Sequence, residues 1–247
     1  MKIGLISDIH GNLEALNAVM EKLKADKIIS LGDTVGYGPN PNECIDILKD
    51  NSVISLLGNH DAASLGKMNI EWFNPVAKEA ILWTMNELTE DSKNFLENLG
   101  MMIEEDDFLF VHGSPVPLGP SSSTHYIEDY LLSIQDAVLV FSKTNKNVFF
   151  VGHTHVAQAF IYSEGKITQK YLTYGGKISL SEGRYIANPG SIGQPRDGNP
   201  YASYGVIDTD ENTVEVRRVP YEIEKTTKKM KQAGLPRMLY ERLFLGY

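Results

Sequence analysis

The sequence is short of cysteine, of long apolar runs and of positive charge, and each shortage closes off a class of protein. Cys44, the one cysteine in 247 residues, cannot form an internal disulfide. That excludes a disulfide-stapled framework and points to a reducing compartment, the cytoplasm. Cys44 lies in the helical pattern Glu43 to Leu48, where a small buried side chain is the natural role. No window has the length of apolar chain needed to cross a bilayer, so no membrane helix is expected. Lys and Arg number 23 against 32 Asp and Glu, a formal net charge of −9, with no basic stripe to line up against successive phosphates. A nucleic-acid polymer is therefore a poor partner. A small phosphorylated molecule stays compatible, provided bound cations reverse the local potential. Internal repeats and low-complexity linkers are missing as well, so residues 1–247 read as one domain.

What is present is a repeated grammar of strand, polar loop and helix. Lys2–Ser7 reads as a buried strand, too short for a removable leader, and a helix follows over Asn12–Lys24 with Leu13, Leu16, Val19, Met20 and Leu23 at helical spacing. Ile28–Leu31 is a second strand, Pro41–Lys49 a helix, and Val53–Leu57 a third strand. From Ala62 to Gly100 the pattern is helical, with Pro75 opening one helix that ends near Leu88 and a shorter one over Ser92–Leu99. Asp107–Val111 and Asn147–Val151 are strands around a helix over Ile127–Phe141. Two hairpin signals follow, Gln158–Ser163 with Lys166–Leu172 and Ala202–Asp208 with Thr213–Arg218, and these predict a second, mostly antiparallel sheet. Glu222–Ala233 reads as a closing helix. The tail from Leu235 carries Met238, Leu239, Leu243, Phe244 and Leu245, with packing on its own domain as the expected role and self-association into a homo-oligomer as the other option. The fold class this implies is α/β (α+β): a four-layer αββα sandwich, two mixed sheets face to face with helices outside.

Five of the six histidines sit in short blocks after apolar runs: Asp8-Ile-His10, Gly58-Asn59-His60-Asp61, His112-Gly113 and Gly152-His153-Thr154-His155, with Gly32-Asp33 a further block of the same kind. Strand ends of this kind bring side chains to one edge of a sheet, where open α/β folds place a ligand crevice. Imidazole nitrogen mixed with carboxylate oxygen suits borderline divalent metals. Seven groups, Asp8, His10, Asp33, Asn59, His112, His153 and His155, are enough for two ions. A hydroxide shared between two such ions could attack phosphorus in line.

These blocks resemble the calcineurin-like metallophosphoesterase family in identity and order, from residue 8 to 155. Asn188-Pro189-Gly190-Ser191 with Pro195-Arg196 resembles the closing block of its small bacterial and archaeal phosphodiesterase branch, related to diadenosine tetraphosphatases. The resemblance implies that Asp8, His10, Asp33 and His155 hold one metal and Asp33, Asn59, His112 and His153 the other, with Asp33 as the bridge. It implies for His60 a place beside the metals, where it could stabilise developing charge or protonate the leaving oxygen, with Asp61 orienting its ring. Manganese is the expected metal, with iron, zinc, nickel or cobalt also compatible.

The chain departs from the protein serine/threonine phosphatase branch, whose Gly-Asp-x-x-Asp-Arg-Gly block here reads Gly32-Asp33-Thr34-Val35-Gly36-Tyr37-Gly38. The arginine clamp is missing and Tyr37 stands in its place. Arg196, or with less support Arg184, could reach the site from the later sheet. Further candidates for substrate contact are Trp72, Phe73, His125 and Tyr126, in loops beside the metal edge. The expected function is metal-dependent hydrolysis of a phosphodiester or phosphoanhydride in a small molecule, most naturally a nucleotide. A phosphomonoesterase or protein phosphatase is the competing enzyme. A non-catalytic scaffold, as in the retromer subunit that resembles this family, would have an impaired site, whereas here every ligand and His60 are present.

Overall fold

A computed structural model of the chain describes residues 1–119 and 127–247; His125, Tyr126 and Ser121 to Ser123 lie outside the described residues. The strands are β1 (Lys2–Ile6), β2 (Lys27–Ser30), β3 (Ile54–Ser55), β4 (Met102–Glu105), β5 (Phe108–Val111), β6 (Val148–Phe150), β7 (Ala157–Ser163), β8 (Lys166–Tyr171), β9 (Gly176–Ser179), β10 (Arg184–Pro189), β11 (Ala202–Asp208) and β12 (Thr213–Val219). The helices are α1 (Leu13–Lys22), α2 (Pro41–Asp50), α3 (Asn59–Ser64), α4 (Pro75–Glu87), α5 (Glu90–Glu97), α6 (Ile134–Lys143), α7 (Ile223–Gln232) and α8 (Arg237–Glu241).

Two six-stranded mixed sheets form, in the orders β3-β2-β1-β11-β12-β9 and β4-β5-β6-β10-β7-β8. In the first, β1, β2 and β3 run parallel; in the second, β5, β6 and β10 do. Period-two alternation explains the layering. Phe108 and Phe110 of β5, with Val148 and Phe150 of β6, face Ile3, Leu5 and Ile29 of the other sheet in a shared core, where Phe110 stacks on Phe150 at 5.1 Å. The alternate residues Leu109, Val111 and Phe149 turn outward under α6, with Ala137, Val140 and Phe141. On the far face of the first sheet, Leu16 and Val19 of α1 and Leu48 of α2 pack against Ile6, Tyr204 and Val206. The result is the expected αββα sandwich.

Several local expectations are corrected. The two hairpins do not make a separate antiparallel sheet: β7 and β8 extend the second sheet, while β11 and β12 join the first beside β1. Sheet membership is settled by partners far away in sequence, which hairpin signals do not report. The helix expected over Ile127–Phe141 starts only at Ile134, because Ser133 and Asp136 form a capping box, with Ser133 Oγ accepting from the Asp136 amide. Helix α3 begins at Asn59, one turn earlier than the apolar pattern indicated, since the Asp61 carboxylate accepts the amide of the capping Gly58. Strands β4, β9 and β10 had not been anticipated. The tail packs back as expected: Leu239 and Leu243 are buried with Tyr37, Ala77 and Met230.

One buried ion pair ties the sheets together beside the loop that carries Arg196. Asp197 pairs with Arg218 of β12, the side chains being only 2% and 5% exposed, and the same carboxylate accepts the amide of Ala157 at the start of β7. Asp197→Ala should cost about 3–5 kcal/mol because it strands a buried guanidinium. The pair replacement Asp197→Leu with Arg218→Met should recover most of that, as read from urea unfolding midpoints and slopes.

Candidate metal centre

The candidate ligands leave the C-terminal ends of five parallel strands. Asp8 and His10 follow β1, Asp33 follows β2, Asn59 follows β3, His112 follows β5 and His153 follows β6. The single sheet edge expected to carry them is therefore two edges, one from each sheet, meeting over the shared core. Five of these residues have backbone in the left-handed region: Asp8 (φ 53), His10 (φ 49), Asp33 (φ 54), His153 (φ 65) and His155 (φ 61). Non-glycine residues avoid this region unless the surroundings impose it. Here cross-strand bonds do so: the amides of Asp8, His10 and Gly11 donate to the carbonyls of Gly32, Asp33 and Thr34.

Each of the four candidate ligand histidines is oriented by a backbone carbonyl. Nδ1 lies 3.0 Å from Val35 O in His10, 2.9 Å from Leu31 O in His112 and 2.6 Å from Gln194 O in His155. His153 does the same through Nε2, 3.2 Å from Glu128 O. In the neutral ring, as metal ligation requires, a nitrogen that donates its proton outward leaves the other with a lone pair pointing inward. Two groups of such atoms gather, Asp8–His10–His155 and Asp33–His112–His153, each with its ligand atoms within 4.8 Å of one another. Asn59 Oδ1 joins the second, 3.1 Å from His112 Nε2.

The arrangement fits a pair of cations. His10 Nε2 and His155 Nε2 face each other at 3.1 Å, two lone pairs that repel unless a positive charge lies between them. Asp33 Oδ1 accepts the His60 amide at 2.8 Å, while the buried Oδ2 accepts no well-aligned hydrogen bond and lies 3.3 Å from His112 Nε2 and 3.6 Å from His10 Nε2. That oxygen stands between the two groups, where a bridge belongs. Burial, added to the charge of Asp33 and opposed by that of His112, lifts Asp8 to about 7. Asp33 is held well below the usual carboxylate range: burial opposes this, but the imidazoles of His112, His60 and His10 outweigh it. For His112 burial pulls downward, yet the charges of Asp33, Asp8 and Asp61 raise it to about 9.

His60 sits beside these groups. Burial brings it to about 4 against the pull of Asp33, so its ring is neutral, and its Nδ1 has no partner among the described residues. The expectation that Asp61 orients this ring is corrected: the Asp61 carboxylate accepts the amides of Val35 and Gly58 and so pins the Asp33 and Asn59 loops together. Gly36 leaves room for the ring, since a Cβ there would lie 2.5 Å from His60 Nδ1 and its φ of +127° suits only glycine.

Arg196 supplies guanidinium charge to the centre. Its Nη2 lies 3.4 Å from the Tyr37 hydroxyl and its carbon Cζ 5.7 Å from the Tyr37 ring; burial lowers the neighbouring histidines His10 and His155, and the field of Arg196 adds to that lowering. The adjacent Asp197 does not neutralise it, being committed to Arg218. Arg184 is elsewhere, bonded to the carbonyls of Phe141, Thr144 and Lys146 beyond the end of α6. Next to the ligands opens a cavity of about 290 Å³ lined by Tyr37, Asn59, His60, Trp72, Phe73, Tyr130 and His153, among others. Tyr130, which no sequence signal had marked, lies against the His153 ring at 3.9 Å. Ser7, donating to Asp8 Oδ2 at 2.6 Å, was likewise overlooked, although its place directly before the ligand was a usable cue.

The calcineurin-like phosphoesterase superfamily domain matches residues 1–212. The chain belongs to that superfamily. An uncharacterised protein of Methanocaldococcus jannaschii is 41% identical over 252 residues, covering 99% of this chain and 98% of the relative. The crystal structure of a metallophosphoesterase from Sphaerobacter thermophilus superposes with a TM-score of 0.88 at 40% identity, covering 100% of this chain and 99% of the other. A hypothetical protein from Pyrococcus horikoshii OT3 shares the fold at 20% identity, with a TM-score of 0.74 and coverage of 100% and 98%. As a calcineurin-like phosphoesterase, the chain is a metal-dependent phosphoesterase with two candidate divalent sites. No helix among the described residues is long and apolar enough to cross a membrane.

Metal uptake should be coupled to proton release. Ligation needs Asp8 ionised and His112 neutral, whereas in the metal-free protein their values lie near 7 and 9. Affinity for divalent metal should therefore tighten as pH rises from 6 towards 9, with about one and a half protons released at pH 7 when both sites fill, about half from Asp8 and about one from His112. Calorimetric titration of Mn²⁺ in buffers of different ionisation enthalpy measures this. Affinity independent of pH over that range would contradict the proposed ligands.

Proposed function

We propose that this protein is a two-metal phosphohydrolase that cleaves a phosphodiester or phosphoanhydride bond in a small nucleotide substrate. The observation that carries the reading is the bare, buried Asp33 Oδ2 between two groups of inward-facing lone pairs. In this reading Asp8, His10, Asp33 and His155 hold one ion and Asp33, Asn59, His112 and His153 the other. Two bound ions would activate water for in-line attack and neutralise phosphate oxygens. The mixed N/O donor set suits manganese, with iron, zinc, nickel or cobalt as substitutes.

The chain's own residues then position and neutralise. His60, kept neutral by burial, donates a hydrogen bond to a phosphate oxygen and does not serve as a strong acid. Arg196 takes over the part of the missing clamp, gripping a non-bridging oxygen from above the Tyr37 ring. The aromatic walls of the cavity, Tyr37, Phe73, Tyr130 and the 85%-exposed Trp72, suit a planar base. A space of about 290 Å³ is scaled to a nucleoside and leaves little for a polypeptide, which favours a small substrate over a phosphoprotein. The lone buried Cys44 fits a protein working as one domain in the reducing cytoplasm.

A metal-reconstituted panel tests this with dinucleoside polyphosphates, cyclic nucleotides, bis(p-nitrophenyl) phosphate and p-nitrophenyl phosphate. Diesters or anhydrides should be preferred to the monoester. Asp33→Asn should lower kcat by about a hundredfold or more, and His60→Ala by about a hundredfold with metal content unchanged. Arg196→Gln should raise KM about tenfold. Full activity in Asp33→Asn would sink the two-metal reading.

A further inference from the structure

Between the blocks Asn188-Pro189-Gly190-Ser191 and Pro195-Arg196 lies Gln194, a residue with no sequence cue of its own. Its backbone belongs to the metal centre. The Gln194 carbonyl accepts from His155 Nδ1 at 2.6 Å, and its amide donates to Ser191 Oγ at 2.8 Å. Ser191 Oγ in turn donates to the Asp8 carbonyl at 2.8 Å, so this loop is fastened to ligand-bearing turns of both sheets.

The Gln194 side chain turns instead to Arg196. It is buried, and its Oε1 accepts from Arg196 Nε at 3.2 Å and from Nη2 at 2.9 Å. An arginine only donates, so this contact fixes which end of the amide is oxygen. Nε2 is left without a partner among the described residues, although Gln194 lines a small cavity with His10, Asn12 and Thr226. A buried amide with one end unsatisfied is costly, and the compensation lies at its other end, in the bonds to Arg196. The Arg196 amide also donates to the His155 carbonyl at 3.1 Å, and the guanidinium lies over the Tyr37 ring. That ring is 4.6 Å from the His10 ring and 4.4 Å from the His60 ring, so the charge stands at the centre. Nη1 takes part in none of these bonds. A carboxylate at 194 would hold the same two N–H groups but cancel the charge that a phosphate oxygen needs. The chain has 32 carboxylates and places a neutral amide here.

We propose that Gln194 is a positioning residue that holds the Arg196 guanidinium over Tyr37, aimed at a phosphate oxygen of the substrate with its charge uncancelled. The inference rests on the two-metal phosphohydrolase reading, in which Arg196 grips a non-bridging oxygen. The Gln194 side chain acts through Arg196, while its backbone serves His155 and Asp8. A substitution at the side chain therefore separates the two duties, since it leaves the carbonyl that orients His155 in place.

The test compares wild type, Gln194→Met, Arg196→Gln and the double variant as full chains loaded with Mn²⁺, measuring AMP binding by calorimetry and KM for bis(p-nitrophenyl) phosphate. Gln194→Met should weaken AMP binding about fivefold and raise KM in step, because the released guanidinium spreads over other rotamers. In the double variant the loss should be no greater than in Arg196→Gln alone. Mn²⁺ affinity, titrated on the metal-free chain, should stay within about twofold of wild type in Gln194→Met. Wild-type AMP affinity in Gln194→Met, losses that add in the double variant, or a fall in Mn²⁺ affinity large enough to account for the AMP loss overturns the inference. So does a wild type that binds no AMP. If wild type binds AMP but hydrolyses no ester or anhydride with any metal, the phosphohydrolase reading falls by itself, and the AMP cycle still decides Gln194. Should Gln194→Met give no cooperative unfolding transition, Gln194→Glu decides: it keeps both bonds but cancels the charge, so AMP binding should weaken, and unchanged binding overturns the inference.

Discussion

The centre is organised around buried negative charge. Asp33 lies where the edges of two sheets meet, with one oxygen bonded to the His60 amide and the other bare. A carboxylate in that position is tolerated only because imidazoles converge on it and a cation can complete the set. The left-handed backbone at Asp8, His10, Asp33, His153 and His155 follows from the same demand, since each chain must turn sharply off its strand to aim a side chain back at one point. The carbonyls of Val35, Leu31, Gln194 and Glu128 answer it too, by taking the outer proton of each ring.

Around this anionic nucleus the positive charge is sparse and specifically placed. The chain carries a net −9, and its lysines mostly pair at the surface, as with Lys49 and Asp91 or Lys177 and Glu211. Arg218 and Arg184 are structural, one joining the sheets and the other closing the end of α6. Arg196 remains, lacking a carboxylate partner among the described residues and lying beside Tyr37. Where the protein phosphatases place an arginine in the metal loop itself, this chain keeps a tyrosine there and brings guanidinium charge from a later segment.

The legible parts of the molecule were those with local causes. Asp8, Asp33 and His112 could be read because a short apolar run followed by a polar turn is a strand delivering a ligand. The helices at Leu13 and Pro41 announced themselves by spacing and by their first residues. What failed was non-local or decided by a single cap. Ser133 overrode seven residues of apparent helix, and Asp61 left the His60 ring for two backbone amides. Tyr130 reached His153 across 23 residues with nothing in its own surroundings to mark it.

From the sequence alone came the identity and order of the metal-competent residues, and with them the family and the chemistry, because donor type and spacing are properties of the chain. Tertiary structure decided which sheet each strand joined, which oxygen of Asp33 stayed bare, and which of two arginines reached the centre. It also brought the tail back over Tyr37. These outcomes depend on pairings between segments more than a hundred residues apart, β1 with β11 and Tyr37 with Arg196 and Leu243. No local preference encodes such pairings, and they arise only when the apolar faces of both sheets are buried together.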